Sequence, residues 1–361
     1  MEGGTSEVAI VGAGVIGCAL AWELAGRGLR VTVLERATPG SGASVGAGGM
    51  LAPQMEAEAP GPSLALGLEA RACWAAWAQA LPMSVDLDLT GILRVAVDGA
   101  SLSELGARAD WQRAIGLTAR LCDPSEVADL CPGLAGAVGG LWVPDGQLSA
   151  PRLMHALTQG MAQRGVRLRC GVGVVGIRPG RVETDQGAFS AEVVVVAAGA
   201  WSGALAGVPV VPAKGQRLLL AQVERPLALT VWGPGAYLVP KAGGQVLLGA
   251  TQEPEAGFDT RVTAGAVARL TAAAAVFWPV AATATLQEVW AGLRPMAPDH
   301  HPLVGPLPDM PGVWLASGHG RNGILLAALT AERLADALCA GRALPEAWDP
   351  RRPACRVAPA G

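Results

Sequence analysis

EVAIVGAGVIG, residues 7–17, carries a short β-rich run, Glu7 to Val11, straight into Gly12-Ala13-Gly14-Val15-Ile16-Gly17. An Ala-rich amphipathic stretch follows to Arg27, with Gly28 where a left-handed helix cap belongs. A second β-rich run, Leu29 to Leu34, ends at Glu35. Strand, glycine turn, helix, cap, strand and acid in this order predict a β-α-β unit that binds a dinucleotide. Gly12 permits the tight turn, Gly14 lets a pyrophosphate approach the backbone, and Gly17 lets helix and strand pack closely. The helix N-terminus offers free N–H groups to the phosphates. Glu35 lies 18 residues past Gly17, where a carboxylate accepts both ribose hydroxyls and repels a 2′-phosphate. The fingerprint alone leaves FAD and NAD both open.

The chain around this unit has 361 residues, enough for two domains or one large α/β unit, and 51% of it is apolar. Charged residues make up 16% and the formal net charge is −3, with no basic run that would mark a nucleic-acid surface. Seven cysteines are scattered, odd in number and never spaced C-x-x-C, which argues against a disulfide framework and a zinc site and fits a reducing compartment. The four histidines have no metal-ligand spacing, so no metal is expected. The apolar run from Val8 to Trp22 lacks the basic flank of a signal peptide, and no stretch reaches the roughly 20 apolar residues of a membrane span. These features read as a soluble, cytoplasmic protein.

Further along, Pro39 to Gly49 is rich in small residues and ends in Gly48-Gly49-Met50-Leu51, as suits a loop running along the cofactor. Val193 to Ala198 is a continuous apolar run expected of a strand buried on both faces, followed by Gly199-Ala200-Trp201-Ser202. Val313 to Ser317 is a similar run. It leads into Gly318-His319-Gly320-Arg321-Asn322-Gly323 and an apolar helical stretch from Ile324 to about Cys339. Gly91 to Val97, Arg217 to Val223, Tyr237 to Pro240 and Gln245 to Gly249 read as short strands.

With these segments in family order, the chain resembles the D-amino-acid oxidase superfamily, and within it the glycine oxidases associated with thiamine biosynthesis. Val8 to Glu35, Ala47 to Leu51, Ala198 to Ser202, Tyr237 to Pro240, Trp290-Ala291-Gly292-Leu293-Arg294-Pro295 and Gly318 to Leu326 carry the resemblance, the last two most specifically. It implies an α/β protein: an FAD-binding Rossmann-like domain from about 1–80, 145–212 and 292–345, with a smaller antiparallel β-sheet substrate domain from about 81–144 and 213–291. Residues 346–361 are expected to fray. It implies non-covalent FAD held by Gly12, Gly14, Val15, Ile16, Gly17, Glu35, Arg36, Ala43, Ser44, Gly48, Gly49, Met50, Val174, Ala198, Gly199 and Trp201. His319, Gly320, Arg321, Asn322, Gly323, Ile324 and Leu325 complete that set. The second glycine turn would bring a helix N-terminus to the flavin pyrimidine ring. A homo-oligomer is also implied.

Tyr237 is the only tyrosine of the chain, and the resemblance gives it a substrate-facing hydroxyl. Arg294 sits in an apolar context, and its planar fork matches a carboxylate, so the resemblance makes it the carboxylate anchor. Arg321 takes a secondary place near substrate or flavin, and Met50 packs near the ring. His319 is expected to meet flavin through its backbone or to satisfy a local polar group rather than to act as a base. Gly320 departs from relatives that often carry a bulky aromatic there, which implies a larger or looser site. The implied reaction clamps a small amino acid by its carboxylate, passes a hydride from the α-carbon to flavin N5, and yields an imino acid, then a 2-oxo acid and ammonia. Dioxygen takes the electrons and leaves as hydrogen peroxide. Glycine ranks first, with sarcosine and small D-amino acids behind. A D-amino-acid dehydrogenase feeding another electron acceptor is the alternative, but no basic amphipathic segment supports membrane attachment. An RNA-modifying flavoprotein is disfavoured by the absent basic patch.

Overall fold

The glycine turn joins the strand Ser6–Val11 to the helix Val15–Gly26, which returns through Gly28 (φ +91°) to the strand Val31–Glu35. The computed structural model describes residues 6–221 and 227–355. Gly12 has φ +105°, and a Cβ there would lie 2.5 Å from the carbonyl oxygen of Ala197. A Cβ on Gly17 would lie 2.0 Å from the Gly12 carbonyl oxygen, so the turn closes only with glycine at both positions. The helix is buried along most of its length because the helices Ala150–Gln163 and Gly323–Ala340 pack on it.

Ser6–Val11 lies at the centre of the first sheet. In spatial order the strands are Leu303–Pro306, Val313–Ser317, Gly187–Val196, Ser6–Val11, Val31–Glu35 and Arg167–Cys170. Along this path neighbours pair in parallel except Leu303–Pro306, which is antiparallel to its partner, and the hairpin Val174–Arg178 and Arg181–Thr184 adds two antiparallel strands beside Gly187–Val196. The Val-rich strands are covered on both faces, as parallel sheets require. One face meets the helices through Ile10, Val33 and Val195, and the other meets Val182, Val210 and Leu303.

The second sheet runs Thr285–Met296, Val211–Ala221, Gln245–Gly249, Ala236–Lys241, Thr230–Gly233, Ile92–Ala96, Gly139–Val143 and Arg120–Cys122. Among the described residues it has eight strands, and it departs from the expected antiparallel sheet at one place, where Thr230–Gly233 pairs in parallel with Ile92–Ala96. The expected strand at Arg217 starts earlier, at Val211, and Gln222 and Val223 lie outside the described residues.

The C-terminal segment corrects another expectation. Residues 346–355 are packed rather than frayed: Trp348 is fully buried, and the Arg352 fork grips Asp299 at 2.6 and 2.7 Å. A bidentate charged pair and one large aromatic suffice to dock a Pro-rich segment. Residues 356–361 of the expected tail lie outside the described residues. Among the described residues no helix is long and apolar enough to cross a membrane. Trp348→Ala should cost about 3–5 kcal/mol in a urea titration, the usual range for emptying a buried Trp site, whereas a frayed segment would lose nothing measurable.

Candidate active site

A cavity of about 1320 Å³ runs from the first β-α-β unit to the exposed face of the second sheet. At one end stands Glu35. Its Oε2 accepts from the Ala13 N–H at 2.8 Å and its Oε1 from the Ala37 N–H at 2.9 Å. Each carboxylate oxygen keeps a lone pair for a further donor. The helix start is less open than its sequence suggests, because the Val15 N–H donates to Ser44 Oγ at 2.9 Å. Ser44 thereby fixes the small-residue loop against the glycine turn. Arg36 lies over the Trp201 ring at 3.7 Å, which stiffens the outer rim.

The other end is built on one row of the second sheet. Trp290 pairs with Arg217, Arg217 with Gly249, Gly249 with Tyr237 and Tyr237 with Trp232, so all five share a face. Tyr237 stacks on Trp232 at 5.8 Å. Its ring lies over Gly249, where an added Cβ would fall 2.6 Å from the hydroxyl. Gly48 and Met50 stand opposite, since a Cβ on Gly48 would be 3.7 Å from both the Tyr237 hydroxyl and Met50 Cε. Arg294, half-buried, lies over Gly215 and donates from Nη1 to the carbonyls of Thr251 (3.2 Å) and Lys214 (3.4 Å). Among the described residues Arg294 has no ion-pair partner, although Arg321 does: its Nε meets Glu56 at 3.1 Å. Burial pulls the Arg294 pKa down and pushes that of the Tyr237 phenol up, Arg294 opposing the latter.

Glu56 was not legible as a site residue. It lines the cavity at the end of the short helix Pro53–Glu56, and burial raises its carboxyl against the pull of Arg321 and Arg294. Lys241, Arg217, Gly215 and Gly249 were also missed; all four lie on strands of the Tyr237 row, and only Lys241, four residues past Tyr237 and on the same face, carried a sequence signal.

Of the residues the resemblance named, Gly12, Gly14, Val15, Ile16, Glu35, Arg36, Ala43, Ser44, Gly48, Gly49, Met50, Val174, Ala198, Gly199 and Trp201 line this one cavity. Tyr237, Arg294, His319, Gly320, Arg321, Gly323 and Ile324 line it as well. Three do not. Gly17 packs under the turn, Leu325 is in the core with its carbonyl accepting from Trp74 Nε1, and Asn322 turns its side chain to Glu56. Gly320 has φ +55°, a conformation that suits glycine, and a side chain there would meet Met296 Sδ at 3.2 Å. His319 is buried, its Nε2 is 3.1 Å from Thr330 Oγ1, and burial drops its pKa to about 3, so the ring is neutral at ordinary pH. A neutral ring argues against an imidazolium role.

The cavity suits a flavin dinucleotide. It is too large for a small substrate alone, its lining joins the Gly12–Ile16 turn and Glu35 to the Gly318–Ile324 turn, and His319 Nδ1 is a buried nitrogen on the wall with no partner among the described residues. The chain belongs to the FAD dependent oxidoreductase family, which matches residues 7–337. It is 38% identical to the glycine oxidase of Geobacillus kaustophilus over 91% of this chain and 92% of that protein. The crystal structure of that glycine oxidase superposes with a TM-score of 0.87 over 92% of this chain and 94% of its own. The bifunctional protein ThiO/ThiG of Synechocystis sp. is 35% identical over 96% of this chain, which spans only 54% of its length.

The glycine beneath Arg294 gives a test of how this side chain is seated. A Cβ at residue 215 would lie 2.4 Å from both Nη atoms, the far end of a flexible side chain. Gly215→Ala should therefore leave urea stability within about 1 kcal/mol but raise KM on the order of 10- to 100-fold by shifting the guanidinium. A large loss of stability with unchanged KM would contradict this placement.

Proposed function

We propose that this protein oxidises glycine, and less readily sarcosine and small D-amino acids, to an imino acid that hydrolyses to a 2-oxo acid and ammonia. The observation that carries the reading is the Arg294 guanidinium beside Tyr237, held only by two carbonyls through Nη1 and without an ion-pair partner among the described residues. Arg321 is neutralised by Glu56 and Arg217 by Glu288 at 2.8 Å, which leaves Arg294 as the cation at the Tyr237 end of the cavity without a counter-ion among the described residues; Arg36, also without one, stands at the far end over Trp201. A partly desolvated cation of this kind seeks a carboxylate. Its planar fork takes both carboxylate oxygens, and the Tyr237 hydroxyl donates a further hydrogen bond. Two fixed points orient the α-carbon toward the Gly48–Met50 wall.

When bound, FAD supplies the hydride acceptor and the electron path to dioxygen, with hydrogen peroxide as the reduced product. Glu35, Ser44, Arg36 and the glycine turns would hold it. Met50 and Trp290 give the substrate end apolar surface that limits water, with Trp232 stacked on Tyr237 outside the lining. The neutral His319 and the paired Glu56 make no demand for a strong base if the substrate amine enters unprotonated. The names of the relatives support glycine as substrate and a link to thiazole formation for thiamine.

The reading extends to a division of labour in which the first sheet with its helices is the cofactor unit and the second sheet carries the substrate. It also includes a homo-oligomer in the cytoplasm. The free state of all seven cysteines supports that compartment.

Anaerobic mixing with glycine, sarcosine, D-alanine and D-proline is the test: the flavin absorbance should bleach, fastest with glycine, and re-admitted oxygen should yield peroxide. No bleaching by any of them overturns the proposal, and bleaching without peroxide transfers it to a dehydrogenase. Arg294→Ala should raise KM roughly 100-fold or more while FAD stays bound, because a charged partner is lost from the clamp. Tyr237→Phe should cost about 10-fold, the worth of one charge-assisted hydrogen bond.

A further inference from the structure

The strand Ala236–Lys241 presents Tyr237 to the cavity and, four residues on and on the same face, Lys241. The Lys241 ammonium has three protons and three acceptors, none of them charged. It donates to the Gly48 carbonyl at 2.9 Å, Gln147 Oε1 at 2.6 Å and the Leu148 carbonyl at 3.0 Å. Gly48 and Gly49 form the cavity wall, and Leu148 N–H in turn donates to the Gly49 carbonyl at 2.8 Å. One buried cation thus ties the strand of the substrate clamp to the loop that faces the cofactor.

A second tie runs parallel to it. Arg217, 8% exposed, donates from Nε to the Gly46 carbonyl at 3.1 Å. Trp290 lies flat on the same glycine, where a Cβ would be 2.2 Å from the ring. Two cations from one sheet face therefore hold alternate carbonyls, Gly46 and Gly48, of the stretch Gly46–Gly49, whose side chains offer no polar group to grip.

We propose that Lys241 and Arg217 are positioning residues that fix the distance between the glycine loop on the cofactor side and the Tyr237–Arg294 clamp on the substrate side. Lys241 lies behind the cavity lining and Arg217 on it, and both act through the loop carbonyls they hold. The inference rests on the reading of Arg294 and Tyr237 as the clamp. Burial brings the Lys241 pKa down to about 7, with Asp86 and Asp88 opposing that fall and Arg217 adding to it. Gln147, the remaining side chain against it, is neutral. Above that pH a neutral amine has two protons for three acceptors, and one tie is lost.

The test uses the full chain, with FAD dissociation constants read by flavin fluorescence and kcat and KM for glycine read separately. Lys241→Met should weaken FAD binding and lower kcat by roughly 10-fold each while KM moves less than about threefold, since the carboxylate anchor is intact. Arg217→Met should act in the same direction. Lys241→Arg should restore both, because a cavity of about 350 Å³ bounded by Asp86, Asp88 and Ser149 adjoins Lys241 and leaves room for the larger fork.

Wild-type FAD affinity should fall as pH rises through about 7, and that of Lys241→Arg should not. A purely structural lysine predicts a different sign. Its unfolded form holds the proton up to 10.5 and its folded form only to about 7, so this group's contribution to chain stability rises with pH across that window. Unchanged FAD affinity and kcat in Lys241→Met, or identical pH profiles for wild type and Lys241→Arg, would overturn the proposal. If Lys241→Met does not fold, the pH comparison with Lys241→Arg decides alone. Failure of glycine to reduce the wild-type flavin refutes the substrate reading, whereas the FAD-affinity arm reports on the ties independently.

Discussion

Tyr237, Arg294 and Trp290 lie flat along the second sheet because the residues beneath them have no Cβ. Gly249 underlies the phenol, Gly215 the guanidinium, and Gly46 and Gly292 the indole, with added Cβ atoms falling 1.9–2.6 Å from the covering group. Any side chain there would lift these groups off the sheet into the cavity. The site is therefore a shallow layer of large groups laid on bare backbone, and its depth is set by glycine spacing in three strands and one loop. The same logic operates at the first turn, where Gly12 and Gly17 let the helix start close to the sheet.

Charge is distributed on this layer so that one group is left over. Glu56 serves Arg321 and Glu288 serves Arg217, while Lys241 is satisfied by carbonyls and an amide. Arg294 has only backbone carbonyls, at 3.2 and 3.4 Å. Cations that are neutralised or saturated hold structure; the one that is neither is available to a ligand. This asymmetry makes the site selective for an anion at one point without making it generally attractive to anions.

Much of this was legible in the chain because the signals are local. The first β-α-β unit needs only glycine spacing and apolar runs within 30 residues, and its strands and helix fall within a residue or two of their expected bounds. Glu56 was hidden because it stands in the run Met55-Glu56-Ala57-Glu58, which resembles a solvated acidic turn. It is carried inward by a tertiary contact: Asp145 accepts the Met55 N–H at 2.8 Å and pairs with Arg71 at 2.7 Å, which docks the short helix. Lys241 could have been found, since alternation along the Tyr237 strand places it on the same face. The docked C-terminal segment could not, because a single Trp348 among prolines and arginines gives no periodic signal.

Glu35 holds Ala13 and Ala37 together through its two carboxylate oxygens, and Ser44 holds Val15. These bonds are made within the chain, so the two loops at this end of the cavity are ordered by the protein's own groups. Ordering a loop on binding costs free energy that the ligand would have to supply. Here that cost falls on folding instead, and the dinucleotide meets a preorganised socket. The same bonds make the socket's geometry a property of overall stability: variants that loosen the core under the first turn should weaken cofactor retention without touching any atom that contacts it.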